Sequence, residues 1–249
     1  MKRKLARFTA GVIGFLLIGG LLFLTNAFVG NPVSAMIAEK EIDEHVSAAY
    51  PGMDLITGKV AYNFKSGEYA CEVYSVASRD IVFTVAYKNR EIIDRYPSEV
   101  GSRFTTFNRL NEKLNRVVQE IVARDFPYET EMVMGNLWDP GQEKLGESLQ
   151  LDMDLDTENP PLPIQVTAYV YEEDRTVEVL AQRLSELDQV LRANRVHPQY
   201  YSLVLVNPEG VYPNEDSLGV YDFSRENLLR EDCADILIRQ IVDQNMEEK

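Results

Sequence analysis

At 249 residues, with 45% apolar and 26% charged side chains, the chain has room for one large domain or two modest ones and enough apolar mass for a core. Its 25 Lys and Arg against 40 Asp and Glu leave a net charge of −15, which excludes the basic surface that nucleic-acid binding needs. His45, His197, Cys71 and Cys233 are its only histidines and cysteines, too few for a zinc site built mainly of those ligands.

Four of the bases, Lys2, Arg3, Lys4 and Arg7, precede the first acid, Glu39, so the other 21 bases share the rest of the chain with all 40 acids. From Phe8 to Val29 there is no charged residue in 22 positions. As a helix that run spans roughly 33 Å, enough for a hydrocarbon core. It predicts a transmembrane anchor over residues 8–29, with the bases cytoplasmic and residues 31–249 extracytoplasmic. A cleaved signal peptide is the rival reading, with Val33-Ser34-Ala35 or Thr25-Asn26-Ala27 as small-residue sites. The run is longer than the usual apolar region of about 7–15 residues, which favours an uncleaved anchor. A helix also opens directly afterwards, with Asn31 as N-cap and Pro32 at its first position.

In chain order, a rough apolar stripe from Val33 to Tyr50 predicts a helix over 32–50, stopped by Pro51-Gly52. Strands are predicted near 55–64 and 68–77 around a Lys65-Ser66-Gly67 turn, then at 81–86, with a shorter one near 91–95. Val100, Phe104, Phe107, Leu110, Leu114, Val117 and Ile121 recur at three- and four-residue spacings, the cleanest amphipathic helix in the chain. It ends before Asp125-Phe126-Pro127.

The second half begins with a strand near 129–137. Leu149, Leu151, Met153 and Leu155 alternate with Gln150, Asp152, Asp154 and Asp156, a strand pattern with one apolar and one acidic face. Further strands are predicted at 164–171, 200–206 and 218–223, with a loop over 207–216. A helix over 174–194 separates the first two, and a last helix over 225–244 is expected to bury Leu229, Cys233, Ile236 or Leu237, and Ile241, before a frayed end. The fold class is α+β: an N-terminal transmembrane helix followed by two α+β units, each a mostly antiparallel sheet with packed helices. The divisions are residues 1–30 for tip and anchor, 31–125 for the first α+β domain, and 126–249 for the second.

No stretch of this chain carries a complete chemical motif. Asp152, Asp154 and Asp156 open like a calcium loop, but Thr157 stands where glycine is needed and Pro163 where the closing glutamate belongs. Pro160-Pro161-Leu162-Pro163 has a P-x-x-P spacing and reads as a stiffened turn. His45 lies in the first helix, read as exposed; His197 precedes Pro198 at a corner. Neither has a nucleophile pattern beside it. Cys71 and Cys233 read as two buried thiols, a disulfide being the alternative. Tyr62, Phe64, Tyr69, Tyr74, Phe83 and Tyr87 crowd the first meander; they read as core, with part of the set on an exposed face. No catalytic, cofactor-binding or metal-ligating residue is assigned, and no cofactor.

The order of these features resembles a known family. A basic, apolar N-terminus runs into Gly30-Asn31-Pro32. Tyr50-Pro51-Gly52-Met53-Asp54 comes next, then Val60-Ala61-Tyr62-Asn63-Phe64-Lys65-Ser66-Gly67-Glu68-Tyr69. With Phe126-Pro127-Tyr128 and the Gly219–Phe223 segment, the pattern resembles the YfjL-like family of membrane-anchored proteins from Gram-positive bacteria, over essentially the whole chain. These motifs punctuate structure, so the resemblance implies an N-terminal and a C-terminal domain and no site residue. The first half is also similar to small PepSY-type modules, which at fold level implies binding or regulation. The expected function is a non-enzymatic binding or regulatory module at the cell surface, facing an unknown protein or envelope component. The alternatives are an extracytoplasmic hydrolase using carboxylates alone and an envelope scaffold that forms homo-oligomers through its anchor.

Overall fold

A computed structural model describes residues 11–20, 28–141, 143–208 and 217–247. The basic tip, part of the 8–29 run and most of the expected 207–216 loop lie outside those residues. Among the described residues no helix is long and apolar enough to cross a membrane. Residues 11–20 are helical, and their large apolar side chains stand in the open, from 44% exposed at Val12 to 76% at Phe15. The chain divides into two compact units, Met1–Thr105 and Thr106–Lys249.

In the first unit, helix α1 (Pro32–Ala49) starts where Asn31 Oδ1 accepts from the Val33 amide at 2.8 Å, with Pro32 in the first turn. Ala38, Ile42 and Val46, four residues apart, form its buried stripe. The sheet comprises β1 (Leu55–Thr57), β2 (Ala61–Asn63), β3 (Glu68–Ser75), β4 (Val82–Lys88) and β5 (Glu91–Asp94). It is wholly antiparallel in the order β1-β3-β4-β5, with β2 also on β3. The single strand expected over 55–64 is therefore two. Gly58 sits at the break, its amide donating to the Glu72 carbonyl at 2.8 Å where any Cβ would stand 2.9 Å from that same oxygen. Asn89 and Arg90 both have positive φ, 53° and 69°, the geometry of a type I′ turn, and join β4 to β5. Helix α1 packs on β3, β4 and β5. The cross-strand pairs Cys71–Val85 and Val73–Phe83 are buried.

A π-helical turn (Pro97–Gly101) precedes α2 (Phe104–Asp125). The helix expected from residue 100 begins only at Phe104 because Arg103 takes φ +70° and interrupts it. All but the first two residues of α2 belong to the second unit, whereas the sequence pattern places this helix in the first.

The second unit holds β6 (Thr130–Leu137), a single helical turn α3 (Leu145–Ser148), β7 (Ile164–Tyr171), α4 (Val177–Ala193), β8 (Tyr200–Val206), β9 (Leu218–Ser224), a second single turn α5 (Arg225–Leu228) and α6 (Cys233–Glu247). The sheet order is β6-β7-β8-β9, and the sheet is mixed: β7 and β8 run parallel, with α4 as the crossover between them. Residues 149–155 form no strand. Asp152 has φ +61°, and Arg109 Nη2 binds the Met153 carbonyl at 2.8 Å, so an alternating pattern there dresses a bent loop without a ladder partner. The expected last helix is broken at 229–232, where Arg230 makes a two-pronged bond to the Asp232 carboxylate. That break shifts the helical phase and leaves Leu229 exposed, while Leu237 is fully buried.

Both edges of this sheet are closed by helix side chains. Asn111, Asn115 and Gln119 sit four residues apart on α2. Asn111 and Asn115 Oδ1 accept from the Leu137 and Gly135 amides at 2.6 and 3.2 Å, and Gln119 Nε2 donates to the Val133 carbonyl at 3.0 Å. At the other edge Gln240 and Gln244 of α6 donate to the Tyr221 carbonyl at 2.6 and 2.9 Å. An open edge strand is a template for unwanted pairing, and these amide groups occupy it. Gly135 lets α2 come this close, since a Cβ there would stand 2.6 Å from Val118 Cγ2.

Candidate functional site

The polar groups that converge in the first unit lie where α1 ends against β5. Asp94 Oδ2 accepts from the Tyr50 hydroxyl at 2.7 Å and lies 2.7 Å from His45 Nε2; Asp94 Oδ1 accepts from the Tyr96 amide at 2.9 Å. The Tyr50 ring packs on Phe83 and Tyr96 with centroids 5.4 and 4.9 Å apart. His45, expected to be exposed, is thus half-buried. Burial raises the Asp94 carboxyl, but the bonds from His45, Tyr50 and the Tyr96 amide outweigh it and hold the group below its ordinary value. Burial and the neighbouring carboxylate push the Tyr50 hydroxyl above the tyrosine range. An acid held ionised with three donors on it ties helix to strand; it is not poised to give up a proton.

That arrangement predicts an acid-side signature. The folded value of Asp94 lies below the unfolded value of about 3.9, so its stabilisation is complete above that pH and fades as pH falls through the folded value. In denaturant titrations the stability gap between wild type and Asp94→Asn should narrow as pH falls below about 4. A gap independent of pH would show that the carboxylate's charge is not what matters.

The second unit carries two networks. Arg183 donates through Nε and Nη2 to Glu172 Oε2 at 2.9 and 2.7 Å, and through Nη1 to Glu186 Oε2 at 3.2 Å. Its guanidinium lies 3.8 Å from the centre of the Tyr128 ring. Burial raises Glu186, yet bonds from Gln182, Tyr128 and Arg183 bring it below its ordinary value. Deeper in, Asp188 Oδ1 accepts from the Tyr201 hydroxyl at 2.6 Å and from Arg225 Nε at 2.9 Å. Tyr201 is fully buried and Asp188 nearly so. In both networks the carboxylates are engaged by arginine and tyrosine donors. The groove lined by Asn227, Arg230, Ile236, Arg239, Gln240 and Asp243, about 460 Å³, contains a single acid, Asp243, among the described residues.

The residues singled out from sequence are dispersed. The His197 amide donates to the Thr157 carbonyl, and its Nδ1 lies 3.0 Å from the Glu158 carbonyl oxygen, which pins the loop. Asp156 Oδ1 accepts from the Glu158 and Asn159 amides, a local turn. Among the described residues no group of three or more His, Cys, Asp or Glu is placed to hold a metal. In the aromatic set Phe83 is buried, Tyr62 stacks on Tyr69 at 4.9 Å, and Phe64 and Tyr74 reach solvent.

Cys71 and Cys233 are free, one buried and one half-buried. Burial, then the charges of Asp43 and Glu39, push the Cys71 thiol up to about 11. At pH 8 an alkylating reagent should label Cys233 first and reach Cys71 only after unfolding, as read by mass spectrometry; equal labelling would contradict the burial of Cys71.

A candidate surface is the sheet face of the second unit opposite its buried face, where Val133, Leu137, Val166, Ala168 and Val170 lie. Strand register sets its rows: Met132-Tyr169-Val204, Met134-Thr167-Ser202 and Asn136-Gln165-Tyr200. Met132 and Met134 are 39% and 38% exposed. Trp138 stacks on Tyr200 with centroids 4.5 Å apart at the end of the last row. Methionine and aromatic side chains on one half-open face suit adaptable, largely apolar contact. Alternation along β6 and β7 marks these residues as one face, but no sequence signal tells which face stays open.

The architecture is thus a pair of α+β units, one antiparallel and one mixed, preceded by an apolar helical segment. A family model described as the YfjL-like N-terminal domain matches residues 5–95, and one described as the YfjL-like C-terminal domain matches residues 113–237. The chain belongs to the YfjL-like family. No curated protein and no solved structure matches it.

Proposed function

We propose that this is a single-pass membrane protein with its N-terminus cytoplasmic, whose residues 31–249 form a non-enzymatic binding or regulatory module outside the cell. The binding role is carried by the methionine and aromatic face of the second sheet, with Met132 and Met134 on its edge strand and Tyr169 beside them on β7. Support for the anchor comes from the open apolar side chains of residues 11–20 and the basic cluster before them. The N-terminal family match also begins at residue 5 and so takes in the uncharged run. The ligand on this reading is a protein or envelope component with an apolar contact surface.

In-cell crosslinking of the tagged full-length chain tests it. A captured component that is lost in Met132→Glu/Met134→Glu, with folding intact by circular dichroism, supports the binding face. Capture of other copies of this chain alone, unaffected by the double substitution, would replace the reading with an oligomerising scaffold.

A further inference from the structure

The N-terminal boundary of α1 is clamped to the tip of the β2–β3 hairpin. Gly30, at φ +79°, passes so close to Tyr62 that a Cβ would lie 2.7 Å from its Cβ and Cγ. The Tyr69 hydroxyl accepts from the Asn31 amide at 2.6 Å and donates to the Asn31 carbonyl at 3.3 Å. One step earlier, the Phe28 ring meets Phe64 with centroids 5.5 Å apart. The chain therefore leaves the apolar run through a fixed joint and not through a free linker.

Around that joint the surface is apolar. Val33, Met36 and Ile37 are 64%, 70% and 47% exposed, on the side of α1 opposite Ala38, Ile42 and Val46. Phe28 and Phe64 are also more than half exposed. The first acid, Glu39, comes just past this stripe, and the hairpin tip adds a base, Lys65, next to Phe64. Ile37 lies roughly 9 Å along the helix from Asn31. A headgroup layer is about 5–8 Å deep on each side of the hydrocarbon.

We propose that the first unit is seated directly on the bilayer, with the Phe64-Lys65 tip and the Val33-Met36-Ile37 stripe entering the headgroup layer beside the anchor. This rests on the anchor proposed for residues 8–29, and its occupant is the lipid surface, because the patch is continuous with the uncharged run. Phe64 and Met36 reach the acyl boundary while Lys65 meets lipid phosphate. The rest of the first unit is then held at the bilayer in a set orientation.

The test uses the full-length protein in vesicles of zwitterionic and anionic phospholipid with brominated acyl chains, which quench tryptophan on contact. On a Trp138→Phe background, single tryptophans are placed by Phe15→Trp, Phe64→Trp, Met36→Trp and Val76→Trp. Val76 lies just past the far end of β3, roughly 25 Å from the hairpin tip. Quenching at positions 15, 64 and 36 of about twofold or more, with none at 76, is the expected result. Quenching at 15 without 64 or 36 would overturn the seating and leave the anchor standing. Equal quenching at 64, 36 and 76 would also overturn it. No quenching at any position would remove the seating and the anchor together. Met36→Trp, outside the hairpin, keeps the result readable if Phe64→Trp disturbs the turn.

Discussion

Replacing Asp188 with alanine is expected to destabilise the full-length protein by roughly 3–5 kcal/mol, the largest effect of any single polar substitution in the second unit. The carboxylate is the shared acceptor of two donors, the fully buried Tyr201 hydroxyl and Arg225 Nε. Its removal leaves a buried hydroxyl without a partner and a guanidinium without its counter-charge, and water reaches only the latter. Asp188→Asn keeps an acceptor for Tyr201 and should lose about half as much. Thermal unfolding would read the alanine variant as a drop of roughly 10 °C. A loss below about 1 kcal/mol would mean that the site relaxes and that the triad is not a cornerstone of the unit.

The same cluster has an alkaline signature. Burial first, and then the bond and charge of Asp188, push the Tyr201 hydroxyl above the ordinary tyrosine range. With the folded value above the unfolded value of about 10, the contribution is complete below pH 10 and is lost as pH rises further. Tyr201→Phe should flatten that alkaline limb.

The double variant Asn111→Ala/Asn115→Ala is expected to cost about 2–4 kcal/mol, because the Leu137 and Gly135 amides each lose their acceptor at a partly buried edge. The local readout is sharper than the global one. Hydrogen exchange at Gly135 and Leu137 should accelerate about tenfold or more, while amides inside the β7–β8 ladder slow or speed only with global stability. Unchanged exchange at both would show that these asparagines do not close the edge. The variant should also self-associate more readily, since it reopens a strand template.

How much of the fold was legible in the sequence differs by feature. Local patterns placed α1, β6, β7, α4, β8 and β9 within a few residues, because apolar periodicity and caps such as Asn31 and Thr176 act within one element. Failures arose where a local pattern was satisfied by a different partner. Leu149 to Leu155 alternates like a strand, yet no ladder accepts it, and Asp152 turns left-handed instead. Leu229 fits the phase of the last helix only if that helix is unbroken. Asn111, Asn115 and Gln119 look like an ordinary solvated stripe of an amphipathic helix. Their function as edge caps exists only once β6 lies alongside. The Asp94 and Asp188 clusters join residues 44 and 37 positions apart, a separation no motif spans.

The sequence by itself determined the lopsided charge, the uncharged N-terminal run, the α+β class and membership of the YfjL-like family, since each is a property of composition or of order along the chain. Tertiary structure alone decided that β7 and β8 run parallel, that α2 serves the second sheet, and that one face of that sheet stays half open. It also decided that the hairpin tip reaches back to Phe28. Those outcomes depend on which surfaces meet across long stretches of chain, and burial and hydrogen-bond pairing there are satisfied jointly or not at all.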